Sequence, residues 1–226
     1  MTAIKMVVFD MAGTTINEKN VVYKTLFKAI GNYTSAVSLN LVLKLGAGKE
    51  KHQAIKDILK FLELDQEINS ETIFNEFKIM LDKAYRELDV APIKGVEEVL
   101  LKLRKNNIKV VLNTGYNKLV ANKLLTKINW KLDMHYDALV TADDVIDGRP
   151  NPDMIFKAME IFNINDAKQV LKAGDSAVDI QEGKNANCGI TVGVLSGAQT
   201  KDQLESAHCD FILESLADLN QVLKNI

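Results

Sequence analysis

A chain of 226 residues, 47% of them hydrophobic, is long enough for one large or two small domains and for at least one buried core. Its formal charge of −2, spread over mixed acids and bases, excludes a strongly basic surface for nucleic acid or an anionic membrane. Two cysteines, Cys188 and Cys209, form neither a CxxC pair nor a metal-ligand spacing, which disfavours a disulfide framework and points to reduced, buried thiols in a cytoplasmic protein.

The first apolar run, Met6 to Phe9, has only a strand's length and leads straight into Asp10, which argues against a cleaved signal or a membrane span. Such a strand carries Asp10 to the carboxyl edge of a sheet, Gly13 lets the backbone approach an anion closely, and Thr14 and Thr15 offer hydroxyls and amides. This layout suits a nucleophile facing a phosphorus group. Residues 17–90 contain no convincing strand and read as four helical segments at about 20–33, 36–44, 50–63 and 70–88, flanked by hinge strands near 15–19 and 89–93. Apolar residues there, such as Val21, Leu26 and Phe27, fit either the core of that insertion or a homodimer interface. Beyond it, strands are expected at 108–112, 137–140, 169–173, 190–194 and 210–212, with helices at about 95–106, 117–128, 152–162, 177–186 and 214–225. The pattern is a doubly wound, Rossmann-like parallel-sheet α/β core, residues 1–16 and 91–226, with an all-helical insertion over 17–90.

Ligands of a doubly wound sheet sit beyond the carboxyl ends of its strands, so polar residues ending three later strands should converge on Asp10. In Asn113-Thr114-Gly115-Tyr116 a hydroxyl precedes a helix, where it can hold a phosphoryl oxygen or merely cap that helix. The loop Asp147-Gly148-Arg149-Pro150 delivers a cation able to neutralise Asp10 and a transferring phosphoryl together, or simply a solvated surface arginine. Asp175 ends a buried strand and Asp179 follows four residues on. Such oxygen ligands suit Mg2+; the competing reading is helix capping by Asp175 or Ser176 and dipole compensation by Asp179.

The order and spacing of these motifs resemble the haloacid dehalogenase-like hydrolase superfamily, and the helical insertion after the first motif resembles that family's small cap domain. The resemblance implies that Asp10 becomes an aspartyl-phosphate and that Thr114 and Arg149 bind the phosphoryl group. It further implies Mg2+ held by Asp10, the backbone carbonyl of Ala12 and Asp175, with Asp179 an outer or alternate ligand.

Most phosphatases of the superfamily carry a second aspartate two residues after the nucleophile, which protonates the leaving oxygen; Ala12 cannot. A phosphorus–carbon bond needs no such acid if its electrons leave into an iminium, which a lysine forms with an aldehyde beta to phosphorus. Lys49, in Gly46-Ala47-Gly48-Lys49, sits on an expected exposed loop at the start of a helix, where the dipole favours the neutral amine, although Glu50 pushes the other way. His52, three residues on, shares that helix face and is placed to move a proton. The alternative for Lys49, Lys51 and His52 is a solvated first turn.

Together Asp10-Met11-Ala12-Gly13-Thr14-Thr15, Gly46-x-x-Lys49-x-x-His52, Thr114-Gly115-Tyr116, Gly148-Arg149-Pro150 and Gly174-Asp175-Ser176 resemble the phosphonatase-like branch. The resemblance makes Lys49 the imine former, His52 its proton-transfer partner, and Tyr116 part of the site wall, acting on a small phosphonate such as phosphonoacetaldehyde. The chain departs at Met11, where that branch carries tryptophan, and at Asn113, where it carries a small hydroxyl residue. Two further readings remain open: a phosphomonoesterase or phosphotransferase lacking the second aspartate, and a catalytically silent module binding a phosphorylated ligand.

Overall fold

The computed structural model describes residues 3–47 and 49–223. They form two compact units, Met1–Asn17 with Val90–Ile226, and Glu18–Asp89.

The first unit is built on a six-stranded sheet whose strands β1 (Met6–Asp10), β4 (Lys109–Thr114), β5 (Ala138–Thr141), β6 (Val170–Gly174), β7 (Ile190–Val194) and β8 (Phe211–Leu213) run in the order β5-β4-β1-β6-β7-β8. Every pairing is parallel. β1 is central because all five of its residues are buried and both its edges are paired, as an apolar run without alternation requires. The chain goes first to one side of β1 and then to the other, so the strand order reverses beside it, where such sheets bind ligands. In register, Asp10 lies opposite Asn113, Thr114 opposite Thr141, and Gly174 opposite Gly193, which lines up these strand ends on one edge.

Helices α5 (Val96–Lys105), α6 (Lys118–Lys127), α7 (Asp153–Ile161) and α8 (Ala177–Asn185) alternate with these strands. α5 buries Val96, Val99, Leu100 and Leu103, a helical stripe of spacing three and four, against the sheet. Met154, Ile155 and Ala158 of α7 join Met6, Val8, Val111 and Val140 in one core cluster. A two-stranded antiparallel ribbon, β2 (Ile16–Asn17) with β3 (Ala91–Pro92), closes the unit where the chain leaves and re-enters it.

The second unit holds α1 (Val21–Gly31), α2 (Leu39–Gly46), α3 (Lys51–Phe61) and α4 (Ser70–Glu87). α1 packs on α4, and α2 on α3. Leu26 is fully buried inside this unit, while Val21 and Phe27 are half-buried. Gly46 and Ala47, expected on an exposed loop, are buried, with Gly46 ending α2. A Cβ at Gly46 would stand 3.3 Å from that of Ala54, so the glycine allows α2 and α3 to approach. Gly48 lies outside the described residues.

Three expectations need correction. β4 runs through Asn113 and Thr114 instead of stopping at 112, because β1 and β5 pair with it to its end. The six-residue helix α9 (Lys201–Ser206) was not anticipated, since Leu204 alone anchors it and one apolar residue has no period. The expected helix over 214–225 is broken: Ser215 caps a 3-10 turn at Leu216–Asp218, and α10 (Asn220–Leu223) follows, residues 224–226 lying outside the described set. No helix among the described residues is long and apolar enough to cross a membrane.

Candidate active site

Asp10, at the carboxyl end of β1, is 5% exposed. After it the chain folds into a tight turn: the Gly13 amide donates to the Ile16 carbonyl, and those of Thr14, Thr15 and Ile16 to the Met11 carbonyl. The Thr15 hydroxyl donates to the carbonyls of Asp10 and Met11. The amides of Gly13, Thr14 and Thr15, expected to face an anion, are thus engaged within the turn, whereas Thr14 Oγ1 is buried with no hydrogen-bond partner. Gly13 adopts φ +77°, a left-handed conformation that suits glycine, and a side chain there would meet the Asp175 carboxylate. Ala12 is half-buried and bridges to Ile16.

Arg149 is not a surface residue. Its Nη1 donates to Asp10 Oδ1 at 2.7 Å and lies 2.8 Å from Asp179 Oδ1, while its Nε is 3.0 Å from Glu182 Oε2. Nη2 donates to the Asn113 carbonyl at 2.8 Å and also contacts Asn113 Oδ1. Burial opposes its charge, but Asp179, Glu182 and Asp10 outweigh that and raise its pKa. Thr114 is buried, and it does not cap α6; Asn117 does, accepting from the Val120 amide. Thr114 Oγ1 instead accepts from the Tyr116 amide and retains its own hydrogen to donate. Gly115 is exposed and Tyr116 half-buried, its carbonyl accepting from Ala142 on the neighbouring loop.

The carboxylates of Asp10, Asp175 and Asp179 are all buried, and one oxygen from each lies within 4.8 Å of the others. Burial, only partly offset by Arg149, pushes Asp10 up to about 6. Burial and then the charge of Asp10 raise Asp175 as well. Asp179 goes the other way: burial would raise it, but Arg149, Lys172 and the Ser176 hydroxyl hold it below the usual carboxylate range. A cluster of oxygen donors in which Asp10 and Asp175 resist ionising together fits a hard dication such as Mg2+, which would relieve that repulsion. Both oxygens of Asp179 are engaged, one with Arg149 and Lys172, the other with Ser176 Oγ at 2.5 Å, so Asp10 and Asp175 are the freer donors for such an ion. Ser176 also caps α8, as the capping reading held.

Five residues to which the sequence assigns no role surround the carboxylates and Arg149: Lys172, Glu182, Asn113, Gly197 and Ala198. Lys172, fully buried in β6, lies 3.0 Å from Asp179 Oδ1, Glu182 Oε2 and Asn113 Oδ1. Glu182 on α8 and Asn113 complete the network, the Asn113 amide donating to Glu182 Oε1 at 2.8 Å. A lysine inside an apolar strand run was the available signal. In the loop after β7, the Ala198 amide donates to Asp175 Oδ2 at 2.6 Å, and a Cβ at Gly197 would overlap the Asp175 carboxylate.

In the helical unit, Lys49 precedes the N-cap Glu50 of α3, is exposed, and pairs through Nζ with Asp57 Oδ2 at 2.5 Å. Hydrogen bonding to Lys49 lowers the Asp57 carboxyl despite its partial burial. His52 faces α4: its Nε2 lies 3.2 Å from Ser70 Oγ and 3.7 Å from Glu71 Oε2, and its ring stacks on Phe74.

A family model for haloacid dehalogenase-like hydrolases matches residues 4–187. The phosphonoacetaldehyde hydrolase of Latilactobacillus sakei is 28% identical over 262 residues, covering 99% of this chain and 96% of that protein. That of Bacillus cereus strain G9842 is 31% identical over 218 residues, covering 90% of this chain and 81% of the relative. Among solved structures, a phosphonoacetaldehyde hydrolase-like protein from Oleispira antarctica superposes with a TM-score of 0.83 at 23% identity, covering 99% of this chain and 92% of that one, which speaks for the fold.

Proposed function

This chain belongs to the haloacid dehalogenase-like hydrolases, in their phosphonatase-like branch, and from that premise we propose that it cleaves the carbon–phosphorus bond of a small phosphonate such as phosphonoacetaldehyde. The observation that carries the reading is Ala12: the buried Asp10 is gripped by Arg149, yet the residue two places on has no proton to give a leaving group.

The Lys49 amine condenses with the substrate aldehyde, losing water and leaving an iminium. An Asp10 oxygen attacks phosphorus, the phosphorus–carbon bond breaks, and its electron pair enters the iminium to form an enamine. Arg149, and the hydroxyls of Thr114 and Thr14, stabilise the charge on the transferring phosphoryl oxygens. The enamine carbon then takes a proton, delivered by His52, and hydrolysis frees Lys49 and the aldehyde product. Water hydrolyses the aspartyl-phosphate and returns Asp10. Asp10, the Ala12 carbonyl and Asp175 would hold Mg2+, with Asp179 an outer or alternate ligand, and the ion would supply charge neutralisation for the transfer.

The Lys49–Asp57 ion pair favours a second reading, because an imine requires the uncharged amine. On that reading the chain hydrolyses phosphomonoesters with good leaving groups and Lys49 is a surface residue. Borohydride added with phosphonoacetaldehyde separates the two. A reduced adduct on Lys49, with turnover stopped and abolished in Lys49→Arg, supports the imine; phosphate release with Lys49 unmodified overturns it.

A further inference from the structure

Behind Arg149 lies a closed set of buried charges: Lys172, Asp179 and Glu182, each no more than 1% exposed at the side chain. Arg149 touches both carboxylates, and Lys172 touches the same two oxygens, Asp179 Oδ1 and Glu182 Oε2, at 3.0 Å. Asn113 ties the set together, accepting from Lys172 and Arg149 and donating to Glu182. Two cations thus share these two anions, while Asp10 is a third carboxylate on Arg149. Without Lys172, Arg149 would meet Asp10, Asp179 and Glu182 alone, and its positive charge would be spent on them before any phosphoryl oxygen arrived. With Lys172 the two carboxylates are compensated from behind, and the Nη1 that reaches Asp10 keeps its attraction for an incoming anion.

We infer that Lys172 is a positioning residue, the counter-charge that keeps Arg149 available to the phosphoryl group, with Glu182 its opposing partner. This rests on the reading of Arg149 as the phosphoryl-binding cation, and it is independent of whether the bond cleaved is to carbon or to oxygen.

The test is inorganic phosphate binding to the full chain, by calorimetry at neutral pH with saturating Mg2+, for Lys172→Met, Glu182→Gln and the double variant, each checked for folding by circular dichroism. Lys172→Met should weaken phosphate binding by about tenfold, Glu182→Gln should tighten it by about threefold, and the double variant should lie between the two, about threefold weaker than wild type. Damage to packing would weaken both single variants, so the opposite signs report charge compensation. Weakening in both, wild-type affinity in folded Lys172→Met, or no phosphate binding by the wild type overturns the inference. Should Lys172→Met fail to fold, Glu182→Gln decides: tighter binding supports the inference, unchanged or weaker binding sinks it. A protein that leaves phosphonoacetaldehyde intact yet shows the two-signed pattern refutes the carbon–phosphorus reading and retains this one.

Discussion

Arg149 and Asp10 are 139 residues apart in sequence and 2.7 Å apart in space, Nη1 to Oδ1. The guanidinium hydrogen-bonds Asp10 and Asn113 through its two terminal nitrogens and stands within 3.0 Å of Asp179 and Glu182, an arrangement suited to a planar fork. Arg149→Lys keeps the charge and loses the fork. The variant should fold, and kcat should fall by about 10²–10³-fold. Steady-state kinetics beside a thermal melt check this; an undiminished kcat would remove Arg149 from the chemistry.

Protons should compete with Mg2+ for the carboxylate cluster. Asp10 is pushed up to about 6 by burial and Asp175 is raised by burial and by Asp10, so below pH 6 apparent Mg2+ affinity should drop by roughly tenfold per pH unit per proton displaced. In chelator the same shifts govern stability. An acid with a raised folded pKa contributes stability that is complete below its unfolded value, near 3.8, and is lost as pH rises through about 6. Asp179, held low, acts in the opposite sense but only below its unfolded value. The metal-free protein should therefore melt lower at pH 8 than at pH 5, with added Mg2+ reversing the difference.

Gly197→Ala should separate metal binding from folding. The added Cβ would overlap the Asp175 carboxylate, whereas Gly197 itself lies on a half-buried loop. Mg2+ affinity should fall at least about tenfold with circular dichroism unchanged, since displaced ligands commonly cost that much. Normal Mg2+ titration in this variant would show that Asp175 is not a ligand.

Asp137 offers a pH test remote from the site. Its Oδ1 accepts from Arg104 and its Oδ2 from the Val110 amide at the start of β4. Burial opposes the charge, but these hydrogen bonds hold the carboxyl below its usual value. Its stabilisation is present above the unfolded pKa and lost as pH falls through the lower folded one. Asp137→Asn should cost about 1 kcal/mol at pH 7, discounted for partial exposure, and progressively less as pH falls below the unfolded value near 3.8, as urea unfolding across that range would report.

The order of strands and helices is legible in the residues because each element carries its own period. β1 is an unbroken apolar run and α5 a stripe of spacing three and four. That Asp10, Thr114 and Gly174, the residue before Asp175, share one edge was legible because a doubly wound sheet presents the ends of its strands together, whereas the approach of Arg149 was left open between the site and the surface. Elements with a single apolar anchor, such as α9, carry no period and stayed hidden.

What the residues by themselves determined is the inventory: a carboxylate at the end of the first strand, an alanine where a proton donor would stand, and a helical insertion. What only the folded chain decided is which groups share a charge environment. Burial sets the ionisation of Asp10, and the coming together of β4, β6 and α8 makes Lys172, Asn113 and Glu182, to which the residues alone assign no role, the setting of Arg149. The reason is physical: local propensity acts over a few neighbours in sequence, while desolvation and Coulomb interactions depend on distances in space that only tertiary packing creates.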